Sequence, residues 1–83
     1  MKTFIVERYL PGWSTEQLEA VTSKLTAATA GTTLRYHGST LVPSEDSCFC
    51  HFEGETADEV RDACDVAGTP YARIVETHNL SPH

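Results

Sequence analysis

The chain has 83 residues and a formal net charge of −6 at pH 7, with 40% hydrophobic and 22% charged residues. A chain of this length supports one domain, and its single core buries only about 60–65% of the unfolded surface. The acidic balance argues against nucleic-acid and anionic-membrane partners, because both require a basic patch. No apolar run approaches the ~18–20 residues of a membrane span, and the N-terminus lacks the apolar region of a signal peptide.

The N-terminal third of the chain predicts a strand followed by a helix. Residues 2–9 (KTFIVERY) are rich in β-branched and aromatic side chains, which favours a strand. The segment Leu10–Gly12 ends this strand, because proline cannot continue the hydrogen-bond ladder. Ser14 stands three residues before Gln17, which is the spacing of a helix capping box. Apolar side chains then recur at helical spacing up to Gly31, a typical helix stop.

The middle of the chain predicts a β-hairpin. Residues 32–43 (TTLRYHGSTLVP) have the composition of a strand, in which Gly38 is a candidate bulge. Residues 43–46 (PSED) are typical of a turn. Residues 47–53 (SCFCHFE) then form the returning strand.

The C-terminal third predicts a second helix and a last strand. Thr56 and Glu59 have the spacing of another capping box, and Gly68 ends the helix with Pro70 just beyond it. Residues 72–79 (ARIVETHN) predict the last strand. Beyond it we expect a flexible tail over residues 80–83.

The predicted order β-α-β-β-α-β indicates one ferredoxin-like α+β sandwich over residues 1–83. In this fold two right-handed crossovers build a four-stranded antiparallel sheet with both helices on one face. The other face of the sheet is uncovered in a monomer. An apolar face of this kind is commonly buried against a second copy, so we expect a homodimer with facing sheets and space for a ligand between them.

Period-two alternation divides the strand residues between the two faces of the sheet. The residues predicted to face the helices are Phe4, Val6, Leu34, Tyr36, Val42, Cys48, Cys50 and Phe52. The residues predicted to lie on the uncovered face are Ile5, Glu7, Tyr9, Arg35, His37, Ser39, Leu41, Phe49, His51 and Glu53. The last strand remains open: if Val75 faces the core, then Ile74, Glu76 and His78 join the uncovered face. A register error of one residue reverses each assignment.

Histidines and carboxylates collect on the predicted uncovered face, and three interpretations stay open. Imidazole and carboxylate ligands suit a divalent ion such as Ni²⁺, Cu²⁺ or Zn²⁺. The candidate ligands are Glu7, His37, His51, Glu53 and His78. The same groups suit general acid–base catalysis, since histidine titrates near neutral pH. Alternatively, these side chains lie at the hydrated rim of a dimer and have no special role.

The catalytic hypothesis assigns specific roles on this face. His51 or His37 would be the base, with Glu7 or Glu53 as its orienting partner. Tyr9 or Tyr36 would donate a hydrogen bond to the substrate. Such an enzyme would carry out an isomerisation, a cyclisation or a cofactor-free oxidation in the cavity between the sheets. A deep, largely apolar pocket lined by these residues would favour it.

The chain has three cysteines, Cys48, Cys50 and Cys64. An odd number without a signal peptide favours free thiols in a reducing compartment, so we expect a cytoplasmic protein. Cys48 and Cys50 share one side of their strand and are therefore candidate ligands for a soft metal. Buried free cysteines also serve as small hydrophobic core residues, which is the simpler interpretation, above all for Cys64.

Three segments together resemble a known family. They are residues 4–12 (FIVERYLPG), residues 39–43 (STLVP) leading through the acidic turn to residues 48–53 (CFCHFE), and residues 67–70 (AGTP). The chain resembles, over residues 3–79, the small bacterial nickel-binding proteins of ferredoxin-like fold, formerly a domain of unknown function. The resemblance implies a cytoplasmic homodimer with metal at the dimer surface and a role in nickel sequestration or tolerance.

Overall fold

The computed structural model describes residues 1–82, and His83 lies outside the described residues. The predicted element order is confirmed. The elements are β1 Lys2–Tyr9, α1 Thr15–Thr29, β2 Arg35–Val42, a 3₁₀ turn Pro43–Glu45, β3 Ser47–Gly54, α2 Ala57–Ala67 and β4 Arg73–Thr77. The four strands form one antiparallel sheet in the order β2-β3-β1-β4. This is the predicted ferredoxin-like α+β sandwich.

Side-chain caps position both helices. At α1 the capping box is complete: Gln17 N donates to Ser14 Oγ over 3.2 Å, and Ser14 N donates to Gln17 Oε1 over 2.8 Å. At α2 only half of the predicted box forms. Glu59 N donates to Thr56 Oγ1 over 3.3 Å, but the Glu59 carboxylate accepts from the backbone of Glu55. Each cap satisfies N–H groups that a helix start leaves without partners.

The core lies between the helices and one face of the sheet, as the alternation in β1 and β3 predicts. Its buried apolar residues are Phe4, Val6, Leu10, Val21, Leu25, Leu34, Cys48, Cys50, Phe52, Val60, Ala63 and Cys64. The rings of Tyr36 and Phe52 pack with centroids 5.1 Å apart. No helix among residues 1–82 is long and apolar enough to cross a membrane.

A β-bulge in β2 corrects part of the predicted face assignment. The pairing with β3 shifts between Tyr36 and Gly38, and Gly38 has a φ of 109°. Beyond the bulge, Ser39 pairs with Cys50 and Leu41 with Cys48, so both face the helices. The prediction that they lie on the uncovered face was wrong, because the extra residue at the bulge reverses the alternation.

The same shift also changes the face on which Val42 lies. The pairing of β4 decides the face assignment of its residues, which the sequence left open. Val42 pairs with Ser47 and so leaves the helix-facing set. Val75 pairs with Ile5 on the uncovered face, whereas Ile74 pairs with Val6 and packs against the core. Glu76 therefore lies on the helix side of the sheet. The condition on Val75 is therefore not met, and the alternative in which Ile74 and Glu76 lie on the uncovered face does not apply.

Candidate functional site

The uncovered face of the sheet, called the open face below, has an apolar centre and a polar margin. Ile5, Phe49 and Val75 lie at its centre and are half-buried within the single chain. Its other residues include Thr3, Glu7, Tyr9, Arg35, His37, Thr40, Val42, His51, Glu53, Arg73 and Thr77. The open face therefore collects most of the predicted histidine and carboxylate candidates.

His37 and Glu53 form the closest pair of candidate ligands on the open face. His37 Nε2 lies 3.3 Å from Glu53 Oε1, and His37 is exposed while Glu53 is half-buried. His37 lies at the β2 bulge, as the extra residue between the paired positions Tyr36 and Gly38. Bulges commonly re-aim a side chain in this way. An imidazole nitrogen and a carboxylate oxygen are both ligand types that first-row divalent metals accept.

His51 is on the same face but has a different partner. Its strand neighbours are Ile5 on β1 and Gly38 on β2. Its Nε2 lies 3.0 Å from Thr40 Oγ1. The predicted pairing of His51 with a glutamate is therefore not formed, and a hydroxyl partner does not orient and polarise an imidazole as a carboxylate does.

Glu7 and Tyr9 do not join the histidines. The Glu7 carboxylate forms an ion pair with the Arg73 guanidinium across the β1–β4 pair. The Tyr9 side chain is 65% exposed at the end of β1. A shallow cavity of about 160 Å³ beside them includes Phe49 and contains no histidine. This volume is below the ~300 Å³ at which ligand pockets usually begin.

The predicted cysteine candidates lie on the opposite side of the sheet, under the helices. Cys48 and Cys50 are buried, with exposures of 3% and 0%, and their Sγ atoms are 4.0 Å apart. Cys64, from α2, is also buried, and all three thiols are free. The sheet therefore separates the cysteines from the histidines, and the two groups cannot share one ion.

Arg8 is the residue of this region that sequence reasoning missed. Its side chain is 1% exposed and reaches the thiols from β1: Nε donates to Cys50 Sγ over 3.3 Å, and Nη2 donates to Cys64 Sγ over 3.4 Å. Nη1 donates to the carbonyl oxygens of Thr69 and Pro70 over 3.3 and 2.8 Å. The available signal was the alternation itself, which places Arg8 on the same side as Phe4 and Val6.

These contacts change the acidities of the buried groups. A hydrogen bond from Cys48, with others from Ser39 and Arg8, lowers the pKa of the Cys50 thiol to about 5. The hydrogen bond to Cys50 and burial raise the pKa of Cys48, and burial raises the pKa of Cys64. Burial alone would lower the pKa of Arg8, but its contacts with Cys50 and Cys64 outweigh burial and raise that pKa. The arrangement thus places a buried guanidinium beside two thiol sulfurs, and the hydrogen bonds to Cys50 lower the pKa of that thiol.

Comparison with known proteins identifies the family of the chain. Residues 4–77 match the family model described as "Nickel responsive protein SCO4226-like". The chain belongs to this SCO4226-like family. The crystal structure of SCO4226 from Streptomyces coelicolor A3(2) superimposes with a TM-score of 0.84 at 19% sequence identity, covering 95% of this chain and 99% of that one. No curated protein sequence matches. The SCO4226-like fold is therefore shared, and the family description supports a nickel-related function.

The metal-ligating side chains of this SCO4226-like protein lie in pairs. Within residues 1–82, histidine, cysteine, aspartate and glutamate side chains do not converge in a group of three or more that could hold a metal ion. They form pairs instead: His37 with Glu53, Cys48 with Cys50, and Glu76 with His78, whose Oε2 and Nε2 atoms are 3.0 Å apart. The Glu76–His78 pair does not belong to the open face. Glu76 lies on the helix side of the edge strand β4, and His78 follows the end of that strand.

Proposed function

We propose that the protein is a homodimer that binds Ni²⁺, with His37 and Glu53 as ligands from each copy. The observation that carries the proposal is the pair itself. His37 Nε2 lies 3.3 Å from Glu53 Oε1 on the open face, in a chain of a nickel responsive family. An imidazole nitrogen and a carboxylate oxygen are a suitable donor set for Ni²⁺. Nickel is the cargo of such a protein, which would serve nickel sequestration or tolerance.

The proposal includes a second copy because one chain supplies too few ligands for the ion. One chain supplies two donors at this position, whereas a first-row divalent ion is usually held by four to six. A two-fold axis beside the pair would bring two imidazoles and two carboxylates together. In a symmetric dimer each residue has an equivalent in the partner, so two-fold symmetry supplies a second copy of the His37–Glu53 pair. The expected stoichiometry is one ion per dimer.

The apolar centre of the open face supports the same assembly. Ile5, Phe49 and Val75 are half-buried in the single chain and have no helix over them. Burying such side chains against a second sheet contributes roughly 25 cal/mol for each Å² of apolar surface removed from water. The thiols Cys48 and Cys50 do not belong to this nickel site. They lie on the other side of the sheet, beside the fixed positive charge of Arg8.

Isothermal titration of untagged protein with Ni²⁺ tests the proposal. We expect a Kd below about 100 μM and half an ion per chain. His37→Ala and Glu53→Gln should each weaken binding by at least about 10-fold, because each removes two of the four ligands in the dimer. His51→Ala is the matched control: it removes a histidine from the same face and should leave the affinity within about threefold.

Two results would contradict the proposal. One is nickel binding that His37→Ala leaves unchanged. The other is a full ion per chain bound by monomeric protein in sedimentation velocity. The same titration with Zn²⁺ and Cu²⁺ ranks the metals at this site, and for nitrogen and oxygen ligands we expect Cu²⁺ to bind more tightly than Ni²⁺.

A further inference from the structure

The two thiols on β3 have a geometry that favours an ion over a disulfide. Cys48 Sγ and Cys50 Sγ point to the same side of the strand and are 4.0 Å apart. A disulfide needs a sulfur separation of about 2.05 Å and Cβ atoms about 3.8 Å apart. The observed sulfur separation is therefore about 2 Å too long for a disulfide bond, and both thiols are free. A bridging ion fits the wider separation.

The separation of the sulfurs suits a metal–thiolate centre. A metal–sulfur bond of about 2.3 Å places two sulfurs about 4.6 Å apart across a linear two-coordinate ion. The observed 4.0 Å is about 0.6 Å shorter. Small side-chain rotations of Cys48 and Cys50, or a bent arrangement at the ion, accommodate this difference. Two thiolates and no nitrogen or oxygen ligand form a soft donor set.

Arg8 determines the charge that such a site accepts. It is buried beside Cys50 and Cys64, and within residues 1–82 its partners are these sulfurs and two backbone carbonyls, with no carboxylate among them. Once the thiol protons are released to solvent, a monovalent ion held by two thiolates carries a net charge of −1, which the +1 of Arg8 balances. A divalent ion with the same ligands would be neutral and would leave the buried guanidinium without a counter-charge, which is costly.

We propose that Cys48 and Cys50 bind a soft monovalent cation, Cu⁺, as a buried bis-thiolate whose charge is balanced by Arg8. This site is separate from the proposed nickel site and does not depend on it. Ser39 completes its surroundings, since Ser39 Oγ donates to Cys50 Sγ over 3.0 Å. Donors around the ligating sulfur orient it and stabilise its negative charge.

The structure also provides an approach to the site. Cys48 lines a cavity of about 140 Å³ together with Leu10, Trp13 and Leu41. An ion that enters this cavity would reach Cys48 from the helix side of the sheet. Trp13 is the only tryptophan of the chain, so its fluorescence reports events in this cavity.

The test is a competition titration of the reduced, full-length protein under anaerobic conditions, with Cu⁺ delivered as its bicinchoninate complex. We expect one ion per chain and a change in Trp13 fluorescence on loading. Cys48→Ser and Cys50→Ser should each weaken Cu⁺ binding by at least about 100-fold, since even the loss of an outer-shell partner costs about 10–100-fold. Ni²⁺ or Zn²⁺ in 100-fold excess, roughly, should not displace the ion.

Cys64→Ser is the matched control. It removes the third buried thiol, which also contacts Arg8, and should keep the Cu⁺ affinity within about threefold. His37→Ala should leave Cu⁺ binding unchanged, so failure of the nickel site and failure of this site are distinguishable. X-ray absorption of the loaded wild-type protein gives a readout that does not depend on the folding of variants, and two sulfur neighbours are expected. A nitrogen- or oxygen-rich shell, displacement by Zn²⁺, or equal losses in Cys64→Ser and Cys48→Ser would overturn the proposal.

Discussion

At the scale of the residue, Arg8 stands out because its charged side chain is almost fully buried. It links β1 to two sulfurs and to the carbonyl oxygens of Thr69 and Pro70, which lie in the loop between α2 and β4. A guanidinium is suited to this role because its planar fork donates in several fixed directions at once. Lysine, with a single ammonium on a flexible stem, cannot donate to the sulfurs and to the carbonyl oxygens at the same time.

Replacement of Arg8 by alanine is expected to lower the free energy of unfolding by about 2–4 kcal/mol, because it leaves two buried sulfurs and two carbonyl oxygens without their donor. Urea denaturation at fixed protein concentration measures the effect. Arg35→Ala, at an exposed position on the open face, is the control and should change stability by no more than about 0.5 kcal/mol. Equal stabilities of the two variants would show that the Arg8 contacts contribute nothing to the fold.

At the scale of the element, the bulge in β2 determines which side chains of that strand reach which face. It moves Ser39 toward Cys50 and leaves His37 beside Glu53. One extra residue therefore serves both candidate metal sites, one on each side of the sheet. The bulge rests on Gly38, whose φ of 109° is in a region that residues with a Cβ rarely adopt.

Gly38→Ala is expected to destabilise the protein by about 1–3 kcal/mol through backbone strain, although a Cβ there meets no atom within 4 Å. If the bulge straightens to relieve the strain, His37 moves away from Glu53, and the Ni²⁺ affinity should fall by at least about 10-fold. Gly12→Ala is the control, since Gly12 also has a positive φ of 77° and open space around it, but lies in the turn after β1. It should cost similar stability and leave nickel binding unchanged. An unaltered nickel affinity in Gly38→Ala would show that nickel binding does not depend on the bulge.

At the scale of the whole molecule, the two faces of the sheet are unequal. One is covered by α1 and α2, and the other presents Ile5, Phe49 and Val75 with a polar margin. A single layer of helices is all that a chain of 83 residues supplies. The proposed homodimer would cover this second face of the sheet.

Phe49→Glu is expected to convert the proposed dimer to monomers, since it places a charge at the centre of the apolar patch. Sedimentation velocity over a range of concentrations measures the mass. Val66→Glu is the control, because Val66 is 77% exposed on α2, away from the open face. A dimer that persists in Phe49→Glu but dissociates in Val66→Glu would place the interface on the helices.

Much of this protein was determined by the sequence alone. Alternation in β1 and β3, the capping residues Ser14 and Thr56, and glycines at the helix ends are local signals, and they predicted the element order, the fold and most of the core. The family resemblance was recognisable for the same reason, because its motifs are short continuous segments. The placement of His51 and Phe49 on the uncovered face also followed from period two.

Only the tertiary structure decided the contacts between distant segments. The faces of Ser39, Leu41 and Glu76 depended on how β2 and β4 pair with their neighbours, and a shift of one residue reverses a face. The bond from Arg8 to Cys50 joins residues 42 positions apart, so no local pattern contains it. The small acidic chain that composition described thus contains a buried positive charge. The two proposed metal sites lie on opposite sides of one sheet, as the alternation along the strands predicts. Only the folded chain shows that Arg8 lies beside the thiols and that His37 lies 3.3 Å from Glu53.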